Sequence, residues 1–298
     1  MGEFFGPRDW GRLMTAMITP FGADGTVNHA EAARIATYLV DEMQNDGLVV
    51  SGTTGESPTL SDAEKLALLE TVLNAVGDRA AVVFGSGSND TAHSAELTRN
   101  AENAGAHGIM LVNPYYNKPG QEGLYAHFST LSEQTKLPVM IYNIEPRSAI
   151  NLETPTLLRL ASMTNVVAVK EASGNMGQIT EVCASVPDGF RVYSGDDALI
   201  LPIMGVGGYG LVSVSAHVAG PSLKRVILNA ISDNPSAIQE NARLIPLVKA
   251  VFSAPSPSPV KAMLASRGFD CSSVRLPIIE LSDEAKRSVI ETLQSFES

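Results

Sequence analysis

The residues best placed to do chemistry close short apolar runs. Lys170 ends the run Val166-Val167-Ala168-Val169. An ammonium walled by apolar side chains loses hydration, and desolvation lowers a lysine pKa. A neutral amine near neutral pH attacks a ketone and forms a Schiff base. The alternative is a lysine that leaves its strand for solvent or pairs with Glu171. Gly52-Thr53-Thr54-Gly55 offers backbone amides and two hydroxyls in a turn with little bulk, which suits a carboxylate. An ordinary strand-to-helix turn with exposed threonines has the same composition. Tyr142 ends another apolar run, where its hydroxyl could carry protons. A phenol with a satisfied polar tip is the plainer alternative. Arg147, five residues later, could clamp a second carboxylate or lie on the surface.

Other candidates read as structural. Gly85-Ser86-Gly87-Ser88 lacks the lysine of a phosphate loop and reads as a turn before a helix. His93 and Glu96 share a helix face, but no histidine spacing matches a zinc site, so no metal is expected. Asp196 and Asp197 read as caps of the next helix.

Something must bring these residues together. The apolar runs are Leu13–Ile18, Leu48–Val50, Ala81–Phe84, Gly108–Val112, Val139–Tyr142, Val166–Val169, Phe190–Tyr193 and Leu211–Val214. Most are apolar throughout, the pattern of parallel strands covered on both faces. Helical stretches separate them. Ser61 with Glu64 forms a capping box for a helix to Val76, with Leu66, Leu69 and Val72-Leu73 on one face. Asp90 caps a helix that stops near Gly105, and Gly120–Thr135 is a third. This α/β alternation predicts a (β/α)8 TIM barrel over residues 1–231. Residues 232–298 predict a small helical C-terminal domain, with helices at Ala237–Phe252, Val260–Arg267 and Asp283–Phe296. Ala254–Pro259 reads as a tight ordered connection. Active sites of such barrels form at the C-terminal strand ends, where Lys170, Tyr142 and Thr53 fall.

The composition narrows the class. With 21 basic and 32 acidic residues the formal charge is −11, which disfavours nucleic acid as a partner. Only Cys183 and Cys271 are present, too few for a disulfide framework, so a reducing cytoplasm is expected. Met1–Gly11 has no continuous apolar core, and no signal peptide is expected. No apolar run is long enough to span a membrane.

Together the motifs resemble the dihydrodipicolinate synthase / N-acetylneuraminate lyase family from Leu13 to about Leu293. They are Gly52–Ser57, Pro114-Tyr115-Tyr116-Asn117, Gln121–Tyr125, Tyr142-Asn143 with Arg147, Lys170–Asn175 and Ser194-Gly195-Asp196-Asp197. The resemblance implies a lyase of the class I aldolase type that uses no cofactor. Pyruvate would condense with Lys170, become an enamine and attack aspartate semialdehyde, on the route to diaminopimelate and lysine. Tyr142, Thr53 and Tyr116 would form a proton relay. Thr53 and Thr54 would hold the pyruvate carboxylate and Arg147 that of the aldehyde, with Gly195 and Val212 bordering the site. Tyr116 would reach into a neighbouring subunit of a homotetramer, a dimer of dimers. The alternatives are a sister aldolase for a sugar acid and a non-catalytic keto-acid sensor. Thr54 and Lys170-Glu171-Ala172 argue against the first, and an intact relay against the second. The family loop usually reads valine-proline-any-arginine, but here it is Ile144-Glu145-Pro146-Arg147. In lysine-inhibited relatives the effector would lie near Ser57, Pro58, Asp62, Lys65, Asn89, His93 and Tyr115. Lys65 replaces a neutral ring there and His93 a glutamate, so the resemblance implies weak inhibition by lysine.

Overall fold

The computed structural model describes residues 6–298, so residues 1–5 of the segment read as lacking a signal peptide lie outside the described residues. The chain lays down β1 (Leu13–Ala16), α1 (His29–Asp41), β2 (Gly47–Val50), α2 (Asp62–Val76), β3 (Ala81–Gly85) and α3 (Thr91–Asn103). Next come β4 (Gly108–Val112), α4 (Gln121–Glu133), β5 (Val139–Asn143), the single turn α5 (Glu145–Ser148) and α6 (Thr154–Ala161). The barrel finishes with β6 (Val166–Glu171), α7 (Met176–Ser185), β7 (Arg191–Ser194), α8 (Ile200–Gly205), β8 (Gly210–Ser213) and α9 (Ala216–Ile231). The strands are all parallel, and β8 pairs with β1 to close the barrel. This is the (β/α)8 architecture that the continuous apolar runs predict. Beyond it lie α10 (Ser236–Val251), α11 (Ser258–Ser266) and α12 (Asp283–Glu297). These three helices pack on one another, and α10 and α11 also pack on α9.

Two cores result from the alternation of strand side chains. The inner one fills the barrel with Trp10, Met14, Val49, Val83, Met140, Ala168, Tyr193 and their neighbours. Trp10 closes the end opposite the site. A Cβ on Gly108 would stand 2.2 Å from its ring, so only glycine lets β4 start there. The outer core lies between strands and helices and is larger, with Leu13, Leu48, Phe84, Leu111, Phe128, Ile141 and Val169.

The capping box of α2 is present, with Ser61 N–H donating to Glu64 Oε2 at 2.8 Å and Glu64 N–H to Ser61 Oγ at 3.2 Å. Its buried face differs from the expected one. Lys65, Leu68, Leu69, Val72 and Val76 are buried, while Leu66 and Leu73 are only partly covered. Lys65 sits on that buried face beside a cavity, its ammonium 3.2 Å from Asp62 one turn earlier in the same helix. The proline-serine connection is ordered, and its last residues, Ser258 and Pro259, are buried in the first turn of α11.

Candidate active site

Along β6, Ala168 and Ala172 belong to the inner core and Val169 to the outer one. The alternation therefore turns Lys170 inward and Glu171 outward. Strand register sets Tyr142 on one side of Lys170 and Tyr193 on the other. Lys170 is 5% exposed, and its Nζ lies 4.2 Å from the centre of the Tyr142 ring. Burial draws its pKa down to about 8; the Asp197 carboxylate opposes the shift and the Arg147 guanidinium adds to it. Lys170 thus neither reaches solvent nor pairs with Glu171. Glu171 Oε2 accepts from Asn143 Nδ2 at 3.1 Å, and Oε1 from Ser173 N–H at 2.8 Å. Asn143 in turn accepts from Asn113 Nδ2 at 2.8 Å, so an amide network braces the ends of β4, β5 and β6 behind the site.

The loop after β7 lies directly on the lysine stem. A Cβ at Gly195 would sit 3.0 Å from both Lys170 Cγ and Cε and 2.8 Å from Ala172 Cβ, so only glycine fits. Asp196 caps the 3-10 turn that follows, as expected. Asp197 does not act as such a cap. It is buried, and its Oδ2 accepts from Val214 N–H, Ser215 N–H and Ser215 Oγ at 3.2, 2.9 and 2.9 Å. It ties the β7 end to the β8 end and sets a negative charge near Lys170.

The threonine turn closes the other side. Ser51 leaves β2 with φ +61°, in the left-handed region that costs a non-glycine residue. Gly55 N–H and Ser57 N–H then donate to Gly52 O at 3.1 and 3.3 Å, and Glu56 N–H to Thr53 O at 3.0 Å. Among the described residues the N–H groups of Thr53 and Thr54 have no protein acceptor. Two unspent donors beside two hydroxyls form a cradle for an anion. The Tyr142 phenol and Thr53 line the same cavity, and burial pushes the Tyr142 pKa up.

A cavity of about 710 Å³ opens beside these groups and is lined by Gly52, Thr53, Tyr142, Ile144 and Arg147. Arg147 reaches it from α5, whose first turn accommodates Pro146; Glu145 is exposed and outside the lining. The shifted proline therefore leaves the arginine at the site and the acid off it. The cavity continues sideways to Ser57, Asp62, Lys65, Asn89, His93 and Tyr115. There the Asp62 carboxylate is shared by Lys65 Nζ at 3.2 Å and His93 Nε2 at 2.8 Å.

The structure thus brings Lys170, Tyr142, Thr53, Thr54, Arg147 and Gly195 to one end of the barrel. Tyr142, Thr53 and Arg147 line the cavity; Lys170, Thr54, Gly195 and Val212 do not, Val212 being buried in the inner core. Tyr116 is also apart. It is 90% exposed with φ +74°, and Tyr115 takes the position on the cavity wall. The sequence reading missed Asp197's cross-link and a buried pair between Glu56 and Lys261. Only the second left a signal, a lone charge in Pro259-Val260-Lys261-Ala262-Met263-Leu264.

A model of the Dihydrodipicolinate synthetase family matches residues 9–296. The 4-hydroxy-tetrahydrodipicolinate synthase of Moorella thermoacetica is 50% identical over 286 residues, covering 96% of this chain and 98% of the relative. Among solved structures, a dihydrodipicolinate synthase from Bacillus anthracis superposes with a TM-score of 0.93 at 42% identity, covering 97% of this chain and 99% of that one. The enzyme from Cyanidioschyzon merolae with lysine bound superposes with a TM-score of 0.94 at 38% identity, covering 97% and 98%.

Proposed function

The chain belongs to the dihydrodipicolinate synthetase family, and on that footing we infer that it is a lyase condensing pyruvate with aspartate semialdehyde. The product is 4-hydroxy-tetrahydrodipicolinate, on the diaminopimelate route to lysine. The observation that carries the mechanism is the desolvated Lys170 amine against Tyr142, beside a threonine turn with unspent amide donors.

The neutral Lys170 amine adds to the pyruvate ketone and water leaves, giving a protonated imine. Thr53 and Thr54 hold the pyruvate carboxylate through their N–H and hydroxyl groups. Loss of a C3 proton gives the enamine, which attacks the aldehyde carbon; Arg147 holds that substrate's carboxylate. The substrate's own amine then displaces Lys170 and closes the ring. Tyr142 and Thr53 carry the protons. Tyr116 serves as the outer member of this relay in a neighbouring subunit's site, within a homotetramer. Its exposure supports that role, since a lone chain leaves it without a task. Gly195 backs the Lys170 stem, and Val212, deeper in the inner core, does not border the pocket. Among the described residues, those up to 231 form the catalytic barrel and residues 232–298 a helical domain bound to it. No helix among the described residues is long and apolar enough to cross a membrane. Both cysteines are free, which supports a cytoplasmic location.

An aldehyde panel tests the reaction. Turnover with aspartate semialdehyde and none with sugar aldehydes is expected; the reverse preference would assign a sugar-acid aldolase. The pH dependence of imine formation tests the amine. Only unprotonated Lys170 attacks, so the rate rises as pH passes through about 8 and levels off above it. A rate flat from pH 6 to 9 would show that Lys170 does not limit the step.

Weak inhibition by lysine is a further expectation. Asp62 is the one carboxylate beside Lys65 and His93 in the lateral recess, and both already hold it. An incoming α-ammonium gains no unspent acid there. Loss of a charge-assisted hydrogen bond costs about 1.5–3 kcal/mol, roughly one to two decades of affinity. Half-inhibition below about 0.1 mM lysine at saturating pyruvate, near 5.5 kcal/mol of binding, would contradict this.

A further inference from the structure

The C-terminal helices reach the threonine turn through a buried ion pair. Lys261 on α11 is 0% exposed in its side chain and Glu56 2%, and Lys261 Nζ lies 2.6 Å from Glu56 Oε1. The same ammonium donates to Ser273 O at 2.6 Å. The other carboxylate oxygen, Oε2, accepts from Arg275 N–H at 2.9 Å. Arg275 is itself anchored, its guanidinium donating to Glu64, to Gly25 O and to Thr59 O. The Phe21 ring sits between the two cations, 4.5 Å from Lys261 Nζ and 4.5 Å from the Arg275 guanidinium carbon. Every oxygen of the Glu56 carboxylate is thereby held by groups more than two hundred positions further along the chain.

Glu56 is also where the turn is least comfortable. Its φ is +54°, a conformation that side-chain-bearing residues avoid. Glu56 N–H closes the turn on Thr53 O, and Thr19 Oγ1 pins the neighbouring Gly55 O at 2.7 Å. Glu56 is thus the end post of the turn that carries the Thr53 and Thr54 donors. Burying an ion pair gains little net stability, because desolvation offsets the attraction. Its geometric consequence is the larger one.

We propose that the Lys261–Glu56 pair is a positioning device for the substrate-carboxylate cradle, which makes the C-terminal helices part of the pyruvate site. Neither residue touches substrate. Lys261 fixes the Glu56 side chain, Glu56 closes the turn, and the turn aims the N–H and hydroxyl groups of Thr53 and Thr54. The inference rests on the reading that these N–H and hydroxyl groups together bind the pyruvate carboxylate, and the test separates the two.

The experiment measures the pyruvate concentration that gives half-maximal borohydride trapping, alongside kcat. The proteins are wild type, Lys261→Met, the double variant Glu56→Gln/Lys261→Met, and Thr54→Val. The double variant removes both buried charges together, so it keeps a folded barrel even where the single variant does not. Both Lys261 variants are expected to need about tenfold more pyruvate, the effect of misaimed hydrogen bonds to a charged group. Their kcat at saturation is expected to fall less than about threefold. Thr54→Val is expected to raise the pyruvate requirement similarly. If Thr54→Val does so and the folded Lys261 variants do not, the positioning role is overturned and the cradle stands. If Thr54→Val has no effect, the cradle reading fails and takes the inference with it. A kcat that drops in step with pyruvate affinity, or failure of both Lys261 variants to fold, would assign the pair to general stability and overturn the proposal.

Discussion

Replacing Lys170 by alanine is expected to lower turnover by more than about 10⁴-fold, the scale on which loss of a covalent nucleophile is felt. The side chain is buried at the end of β6 between Tyr142 and Tyr193, and among the described residues no other lysine lies on a barrel strand. Without the amine there is no imine, and without the imine no electron sink for removing the C3 proton. The fold should survive. The substitution takes a costly buried cation out of the inner core and leaves a small gap among apolar neighbours. An unchanged unfolding transition with activity at the limit of detection is the expected pair of results. A variant that is folded and retains a few per cent of the rate would move the chemistry to another residue.

The next largest effect belongs to Tyr142→Phe. Its ring flanks the Lys170 ammonium at 4.2 Å, and with Thr53 it lines the cavity where substrate must lie. Phenylalanine keeps the ring and so the packing, but it removes the group that carries the proton. A positioned proton carrier contributes roughly 10²- to 10⁴-fold. Turnover with both substrates should fall by that factor while pyruvate binding persists, since the cradle is untouched. A change under about threefold would remove Tyr142 from the relay.

Much of this arrangement is legible in the sequence because parallel barrel strands are buried on both faces. Runs such as Ala81–Phe84 and Val139–Tyr142 stand out by hydropathy alone, and the polar residue that ends each one falls at the rim. The strand limits shift where hydropathy and hydrogen bonding part. The apolar run of β6 stops at Val169, but backbone pairing continues through Lys170 and Glu171 to match Tyr142-Asn143 and Tyr193-Ser194. Conversely, Met17 and Ile18 are apolar and buried, but they lie beyond the last β1 residue.

Other features depend on partners far away in the chain. Local periodicity sets Leu66 on the inner face of α2; in the fold Lys65 is the more buried of the two, beside the cavity. Asp197 precedes a helix and so resembles a cap, but its Oδ2 accepts from Val214 and Ser215, just beyond β8. Glu56 and Lys261 are each plain in the sequence, and their contact exists only once α11 folds back over the β2 loop. Tyr116 illustrates another limit: the motif places it beside Tyr115, and only the fold shows that Tyr115 lines the cavity while Tyr116 is exposed in a left-handed conformation.

Borohydride reduction in the presence of pyruvate, followed by peptide mass spectrometry, tests the covalent step most directly. The expected product is a single reduced pyruvyl adduct on Lys170 in the wild-type protein, and none on Lys170→Ala. An adduct on a different lysine, or one that persists in Lys170→Ala, would contradict the assignment, and no adduct on the wild type would contradict the Schiff base itself.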